Sequence, residues 1–200
     1  VAAGDGVQQL FRDLGVQQIV SGGQTMNPST EDILHAAEQV PAMDVYVLPN
    51  NKNIVMAAEQ AARLARTSGV RRIHVVPTTT IPQGISAMMA YDESAEIKDN
   101  VEAMQEAASR VQSGSVTFAA RDSDYDGHQI KEGELLALEN GKVAFTGTDL
   151  GSVTAKVAKD LMQEDSQFIT LLYGADVSEE QAADVEEAVR SLLPEEVELT

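Results

Sequence analysis

The sequence has 200 residues, of which 43% are apolar, enough for a globular core and too many for an intrinsically disordered chain. The absence of cysteine excludes disulfides, thiolate nucleophiles and cysteine-type zinc sites, and it fits a reducing compartment. The formal net charge of -18 disfavours nucleic acid and anionic membrane surfaces as partners, because both attract clustered Lys and Arg.

No apolar run approaches the ~20 residues that span a bilayer, and no signal-like segment is present. We therefore expect a cytoplasmic protein without a membrane span. The first residue is Val1 and not Met, so we expect the sequence to be part of a longer protein.

The first half alternates short apolar strands with helices, which predicts an α/β lobe with a parallel sheet and crossover helices. The predicted strands are Val16–Val20, Asp44–Leu48 and Arg72–Val76. The predicted helices begin at Ser29 or Thr30, at an Asn53 cap and near Pro82, and a longer helix runs from about Ser94 to Val111.

The second half has closely spaced strands and two turn signals, which predict a mixed α+β lobe with antiparallel hairpins. The turn signals are Asp126-Gly127 and Asn140-Gly141. The predicted strands are Ser115–Arg121, Glu134–Glu139, Lys142–Thr146 and Gln167–Tyr173, with an extended end at Val197–Thr200. The predicted helices are Leu150–Met162 and one that Ser178 caps and that ends near Leu193.

The boundary between the halves falls near Gln112–Gly114, which gives a first lobe at 1–112 and a second lobe at 113–200. The first lobe carries 8 basic and 13 acidic side chains, a net of -5, and the second carries 6 and 19, a net of -13. Solubility is one explanation of this excess. A docking face for a basic partner is the other.

Polar loops follow the three predicted parallel strands, at 21–30, 49–53 and 77–84. Ligands of open parallel sheets bind at the carboxyl ends of the strands, and each loop here leads into a helix N-terminus. We therefore predict a ligand- or partner-binding site at this edge. Its candidate residues are Gly22, Gly23, Gln24, Thr25, Asn27, Ser29, Asn50, Asn51, Asn53, Thr78, Thr79, Thr80 and Gln83.

Almost all the side chains at this edge are amides and hydroxyls, which orient a ligand but do not abstract protons at neutral pH. They suit a neutral polar ligand, an anion on the helix N-termini or the backbone of a partner protein. The alternative is that they are only turn and cap residues. No catalytic residue is predicted, since the chain lacks a Walker A motif, a G-x-G-x-x-G loop and a G-x-S-x-G elbow.

No metal site is predicted either. The three histidines, His35, His74 and His128, have no i,i+4 partner of metal-binding type. The acidic run 122–127 matches the opening of a calcium-binding EF-hand loop, but Gly133 stands where the loop needs a bidentate Glu. We interpret the run as an acidic turn, with Arg121 beside it as an ion-pair partner and a further candidate for binding.

Five segments of the sequence carry a family resemblance: SGGQTMNPST at 21–30, LPNNKNIVMAAEQAA at 48–62, VVPTTTIPQGISAMMAYD at 75–92, VTFAARDSDYDGHQIKEGELLAL at 116–138 and ITLLYGADVSEEQA at 169–182. Together they resemble the C-terminal region of the ATP-binding subunit of bacterial fatty-acid kinase. This family is also called the DAK-phosphatase or dihydroxyacetone-kinase-like family. The resemblance covers essentially all of the chain, although family members usually continue past the VELT position.

The resemblance implies a role within a larger enzyme that transfers the γ-phosphate of ATP to a bound fatty acid, giving an acyl phosphate for phospholipid synthesis. It implies that ATP and magnesium bind an N-terminal domain that is joined to this region through a middle domain. It also implies that the C-terminal region engages a DegV-type fatty-acid-binding protein. We therefore expect a docking or regulatory module without a cofactor of its own. The alternatives are a module that senses a small molecule or anion and, third, a kinase or phosphatase domain.

Overall fold

A computed structural model describes residues 1–22, 27–125 and 128–200. The described chain is mixed α/β, as the sequence predicts, and forms two compact units, Val1–Val111 and Gln112–Thr200. The helices are α1 Asp5–Asp13, α2 Thr30–Gln39, α3 Lys52–Ser68, α4 Ile81–Met89, α5 Ile97–Arg110, α6 Leu150–Leu161 and α7 Glu179–Arg190. The strands are β1 Asp44–Val47, β2 Arg72–Val75, β3 Gly114–Phe118, β4 Ser123–Tyr125, β5 His128–Ile130, β6 Leu135–Glu139, β7 Lys142–Gly147, β8 Phe168–Ile169 and β9 Glu198–Leu199.

The first unit is built on the parallel pair β1 and β2, in which Asp44 lies opposite Arg72. Alternate side chains of a strand point to opposite faces of its sheet, so each face has its own core. Val45 packs with the buried stripes of α2 and α3 on one face. Leu48 packs with buried residues of α4 and α5 on the other face. The pair is therefore covered by helices on both sides, as parallel strands require.

The predicted strand Val16–Val20 is wrong, since this segment contains no strand in the structure. An isolated parallel bridge between Ala2 and Ser21 is its nearest strand-like feature. The physical reason is that the segment does not pair with β1; a cavity of about 180 Å³ lies against both. Helix α1 was not predicted, because its short, glycine-containing sequence has no long apolar stripe.

The starts of three helices follow local capping chemistry. Ser29 forms a reciprocal capping box with Asp32 at the start of α2, as predicted. The predicted Asn53 cap is wrong by two residues, because Asn51 is extended and its side chain accepts the Asn53 N–H at 2.9 Å. Pro82 lies in the first turn of α4, where its missing N–H costs nothing.

The second unit has an antiparallel sheet of order β3-β6-β7, and its buried face packs on α6. Asn140 and Gly141 form the predicted two-residue turn between β6 and β7, with positive φ of 48° and 79°. Strands β4 and β5 form a second antiparallel pair, and the predicted Asp126-Gly127 turn lies outside the described residues.

Other strands of the second unit are shorter than predicted. The strand predicted at Ser115–Arg121 ends at Phe118. The apolar stretch 167–173 contributes only the two-residue strand β8, because its parallel partner β9 is equally short. No helix within the described part of the chain is long and apolar enough to cross a membrane.

Candidate functional site

Asn50 and Thr78 join the two loops that follow β1 and β2. Asn50 adopts the left-handed conformation with φ 55°, and its Oδ1 accepts a hydrogen bond from the Thr78 hydroxyl at 2.7 Å. The Asn50 backbone N–H donates to the same hydroxyl oxygen at 3.1 Å. Asn50 is only 7% exposed and Thr78 only 1%. This pair, here called the Asn50–Thr78 clasp, therefore satisfies its own polar groups inside the protein.

Helix α4 closes over the clasp through Gly84. A Cβ atom built on Gly84 would overlap with Asn50 Oδ1, at a separation that real side chains do not tolerate. Glycine at this position thus allows the helix to approach the amide closely. The two innermost candidates, Asn50 and Thr78, accordingly hold the loops in place, whatever the loops bind.

The helix N-termini at this edge are capped by side chains of the same chain. Ser29 accepts the Asp32 N–H at the start of α2, at 3.1 Å. Thr80 accepts the Gln83 N–H at the start of α4, at 3.3 Å. Gln83 Oε1 in turn accepts the backbone N–H of Thr79 at 2.7 Å and its hydroxyl at 2.9 Å. Several of the donors that an anion would need are thus already bonded, which weakens the anion interpretation.

Other candidates lie on the outside of the loops. Asn27, Ser29, Asn53 and Thr79 are exposed, and we call these four residues the polar rim. Gly22 is buried, and its N–H donates to the Ala2 carbonyl at 3.3 Å. Gly23, Gln24 and Thr25 lie outside the described residues. Binding at the rim stays a prediction.

Arg121 belongs to the second unit and is exposed. Within the described part of the chain it forms no ion pair, and the expected pairing with the acidic run is therefore not found there. Asp122 instead accepts the backbone N–H of Glu132 at 2.7 Å. Among the described residues, no group of three or more His, Asp or Glu side chains converges as a metal site would require.

The sequence interpretation missed a polar cluster on the face of the β1–β2 pair. Arg72 donates two hydrogen bonds to the Asp44 carboxylate, and the His74 Nε2 lies 2.8 Å from Asp44 Oδ1. The bonds from Arg72, and secondarily from His74, lower the pKa of Asp44 to about 2. Tyr46 stacks at 5.6 Å from His74, and burial raises the pKa of the Tyr46 hydroxyl.

This cluster joins two strands by charge and contains no nucleophile. The only signal in the sequence is the alternation of polar residues in Asp44–Val47 and Arg72–Val75, which becomes informative once the register is known. The described site therefore offers binding groups and fixed loops, and we find no arrangement in it for catalysis.

Comparison with known proteins gives a concordant result. The whole chain, residues 1–200, matches the family model FakA-like_C, which describes the C-terminal region of the A-type component of fatty acid kinase. It is 42% identical over 195 residues to an uncharacterized protein of Staphylococcus haemolyticus, covering 98% of this chain and 35% of that protein. It is 41% identical over 199 residues to the YloV protein of Bacillus subtilis, covering 100% of this chain and 35% of YloV.

The chain thus spans about a third of the length of these curated relatives. The same holds for an uncharacterized protein of Staphylococcus aureus, which is 39% identical over 179 residues and of which 32% is covered. The match extends over both units and over every loop of the candidate site. The chain belongs to the FakA-like family of fatty acid kinase proteins and corresponds to their C-terminal region.

Proposed function

We propose that this chain is the docking module of a cytoplasmic fatty acid kinase, and that it engages a DegV-type protein carrying the fatty acid. The observation that carries the proposal is the combination of full-length family membership with a site made of binding groups held on rigid loops. Transfer of the ATP γ-phosphate to the fatty acid carboxylate, which yields an acyl phosphate for phospholipid synthesis, is assigned to the full-length protein. ATP and magnesium would bind its other domains.

The polar rim is the proposed contact surface. Its amide and hydroxyl groups are exposed, while the clasp beneath fixes the loops that carry them. A surface of this kind offers a partner's backbone both donors and acceptors without the cost of ordering a mobile loop.

The charge distribution supports electrostatic steering of the partner. Residues 160–200 contain 12 acidic side chains and a single basic one, Arg190. Such a concentration of one sign accelerates the approach of a basic surface and adds salt-dependent affinity. The proposal thus gives the two units different tasks: the first provides specific contacts and the second provides attraction over longer distances.

Calorimetric titration of the full-length protein with the acyl-loaded DegV-type protein tests this proposal. The paired variant Asn53→Ala with Thr79→Ala should weaken the Kd about tenfold, a typical loss for two interface hydrogen bonds. Gln105→Ala is a matched control, since Gln105 is an exposed amide on α5 away from the loops. A paired variant that binds like the control would remove the rim from the interface.

A binding module for a small polar molecule or anion is the second candidate. It is favoured by the loops leading into the N-termini of α2, α3 and α4, but the internal caps reduce its weight. Crystals soaked in phosphate or sulfate test it directly. An anion on the loop N–H groups would support this candidate, and unchanged loops without bound anion would count against it.

A further inference from the structure

The cavity beside β1 has the features of a missing position in the sheet. One wall is the segment 15–20 and the opposite wall is 44–48. Residues of α2 line it on one face of the sheet, and Met88 and Met104 line it on the other. Its wall residues Ile19 and Val47 are only half-buried, although apolar residues in the middle of a parallel sheet are normally covered.

Val1 and Ala2 already lie in this position as the end of a strand. The Val1 N–H donates to the Leu48 carbonyl at 2.6 Å, and the Val1 carbonyl accepts a bond from Asn50 Nδ2 at 2.9 Å. The Ala2 N–H donates to the Val20 carbonyl at 3.1 Å. Successive residues thus bond to opposite neighbours, as in a central strand between two parallel partners.

The free edge of β1 faces the same cavity. The carbonyls of Met43 and Val47 accept bonds from β2, at 2.8 Å from Arg72 N and 3.0 Å from Val76 N. Backbone groups alternate along a strand, so those of Tyr46 and Leu48 point the other way, toward the cavity. An edge with unpaired donors and acceptors between helix-covered faces is suited to one occupant, another strand.

We propose that the five or six residues preceding Val1 in the longer protein fill this cavity as a strand between 16–20 and β1. The family description places this region at the C-terminus of proteins about three times its length, so preceding residues are available in its relatives. The bonds of Val1 and Ala2 fix the register: the residue directly before Val1 lies opposite Ile19, and the one before that lies opposite Val47.

The added strand turns the parallel pair into a four-stranded parallel sheet, in which 16–20 is an edge strand. It also brings the loop at Ala3–Gly6 to the same sheet edge as the polar rim, between two neighbouring loops of the candidate site. The covering on both faces requires the preceding residues to be a nearly continuous apolar run, since strands inside such sheets have no solvent-facing side. A charged or proline-rich sequence directly before Val1 would contradict the proposal.

Amide hydrogen exchange on the full-length protein tests the hydrogen bonds themselves. In the proposed register, the Tyr46 and Leu48 N–H groups donate to the added strand and should exchange as slowly as those of β2. Fast exchange at both amides in the unmodified full-length protein would overturn the proposal without any variant.

A second arm replaces the six residues before Val1 by alternating Gly and Ser in the full-length protein. Exchange at 16–20 and 44–48 should accelerate at least about tenfold, because the new strand can bury no side chains. The hairpin Leu135–Gly147 belongs to the other unit and is the internal control, with unchanged exchange. Unchanged exchange at 44–48 in this variant would show that another occupant, such as an apolar small molecule, fills the cavity, and would overturn the proposal.

Discussion

The Thr78 hydroxyl donates to Asn50 Oδ1 at 2.7 Å, although the two residues are separated by 28 positions and belong to different loops. Both side chains are buried, and no water is needed to satisfy this pair. The loops after β1 and β2 are therefore fixed relative to each other from within. This bond explains how exposed loop residues can form a defined contact surface.

The clasp is expected to be important for stability. Asn50→Ala should lower the free energy of unfolding by about 2–3 kcal/mol, because it leaves buried groups of Thr78 and Val1 without their bonds. Urea unfolding measures this difference. Asn53→Ala is the control, and it should cost under about 0.5 kcal/mol at its exposed position. Equal losses for the two variants would contradict the structural role of Asn50.

Gly84 should tolerate no side chain. Gly84→Ala brings a methyl group onto the Asn50 amide, and we expect a loss of about 2 kcal/mol from strain and from opening the clasp. Gly6→Ala makes the same chemical change in helix α1, where nothing lies within 4 Å of the new Cβ. Helix propensity should leave that control neutral or slightly stabilised. Thermal unfolding of both variants decides the point, and similar Tm values would refute it.

The Asp44 cluster should make part of the stability depend on pH. Because the folded protein lowers the pKa of Asp44 from 3.8 to about 2, its contribution is fully present above pH 4 and is lost as the pH falls toward 2. Asp44→Asn should therefore be less stable than the unmodified chain at neutral pH, by about 1 kcal/mol or more. The gap should narrow between pH 4 and pH 2 in urea unfolding. A gap that stays constant with pH would exclude the ion pairs as its cause.

The β6–β7 turn should depend on its left-handed residues. Asn140 has φ 48°, and its Oδ1 also accepts the Ser113 N–H at 3.1 Å. Asn140→Ala should cost about 1–2 kcal/mol, because alanine disfavours positive φ and lacks the acceptor. Asn140→Gly should cost less, since glycine retains the backbone conformation. Denaturant unfolding would contradict this account if the glycine variant were the weaker of the two.

Local signals predict the parts of the fold that short-range chemistry determines. The Ser29 and Asp32 spacing indicates the start of α2, and Asn140-Gly141 indicates a two-residue hairpin. Both depend only on residues a few positions apart. The class and several element positions could therefore be predicted from the sequence.

Features that depend on distant partners could not be predicted. The apolar segment 16–20 has the composition of a strand, but composition does not reveal whether a neighbouring strand pairs with it. Asn50 has the composition of a ligand-binding loop residue, and only the approach of Thr78 and Gly84 identifies it as a structural one. The Asp44–His74 contact likewise requires the register of β1 against β2.

The central claim is that the polar rim contacts an acyl-carrying partner while the acidic second unit attracts it. The most direct measurement is the Kd of the full-length protein for the acyl-loaded DegV-type protein, by calorimetry at low and at moderate salt. We predict binding that weakens as salt increases and that becomes about tenfold weaker in the Asn53→Ala, Thr79→Ala variant. Binding that changes with neither salt nor this variant, or no binding at either salt concentration, would contradict the account.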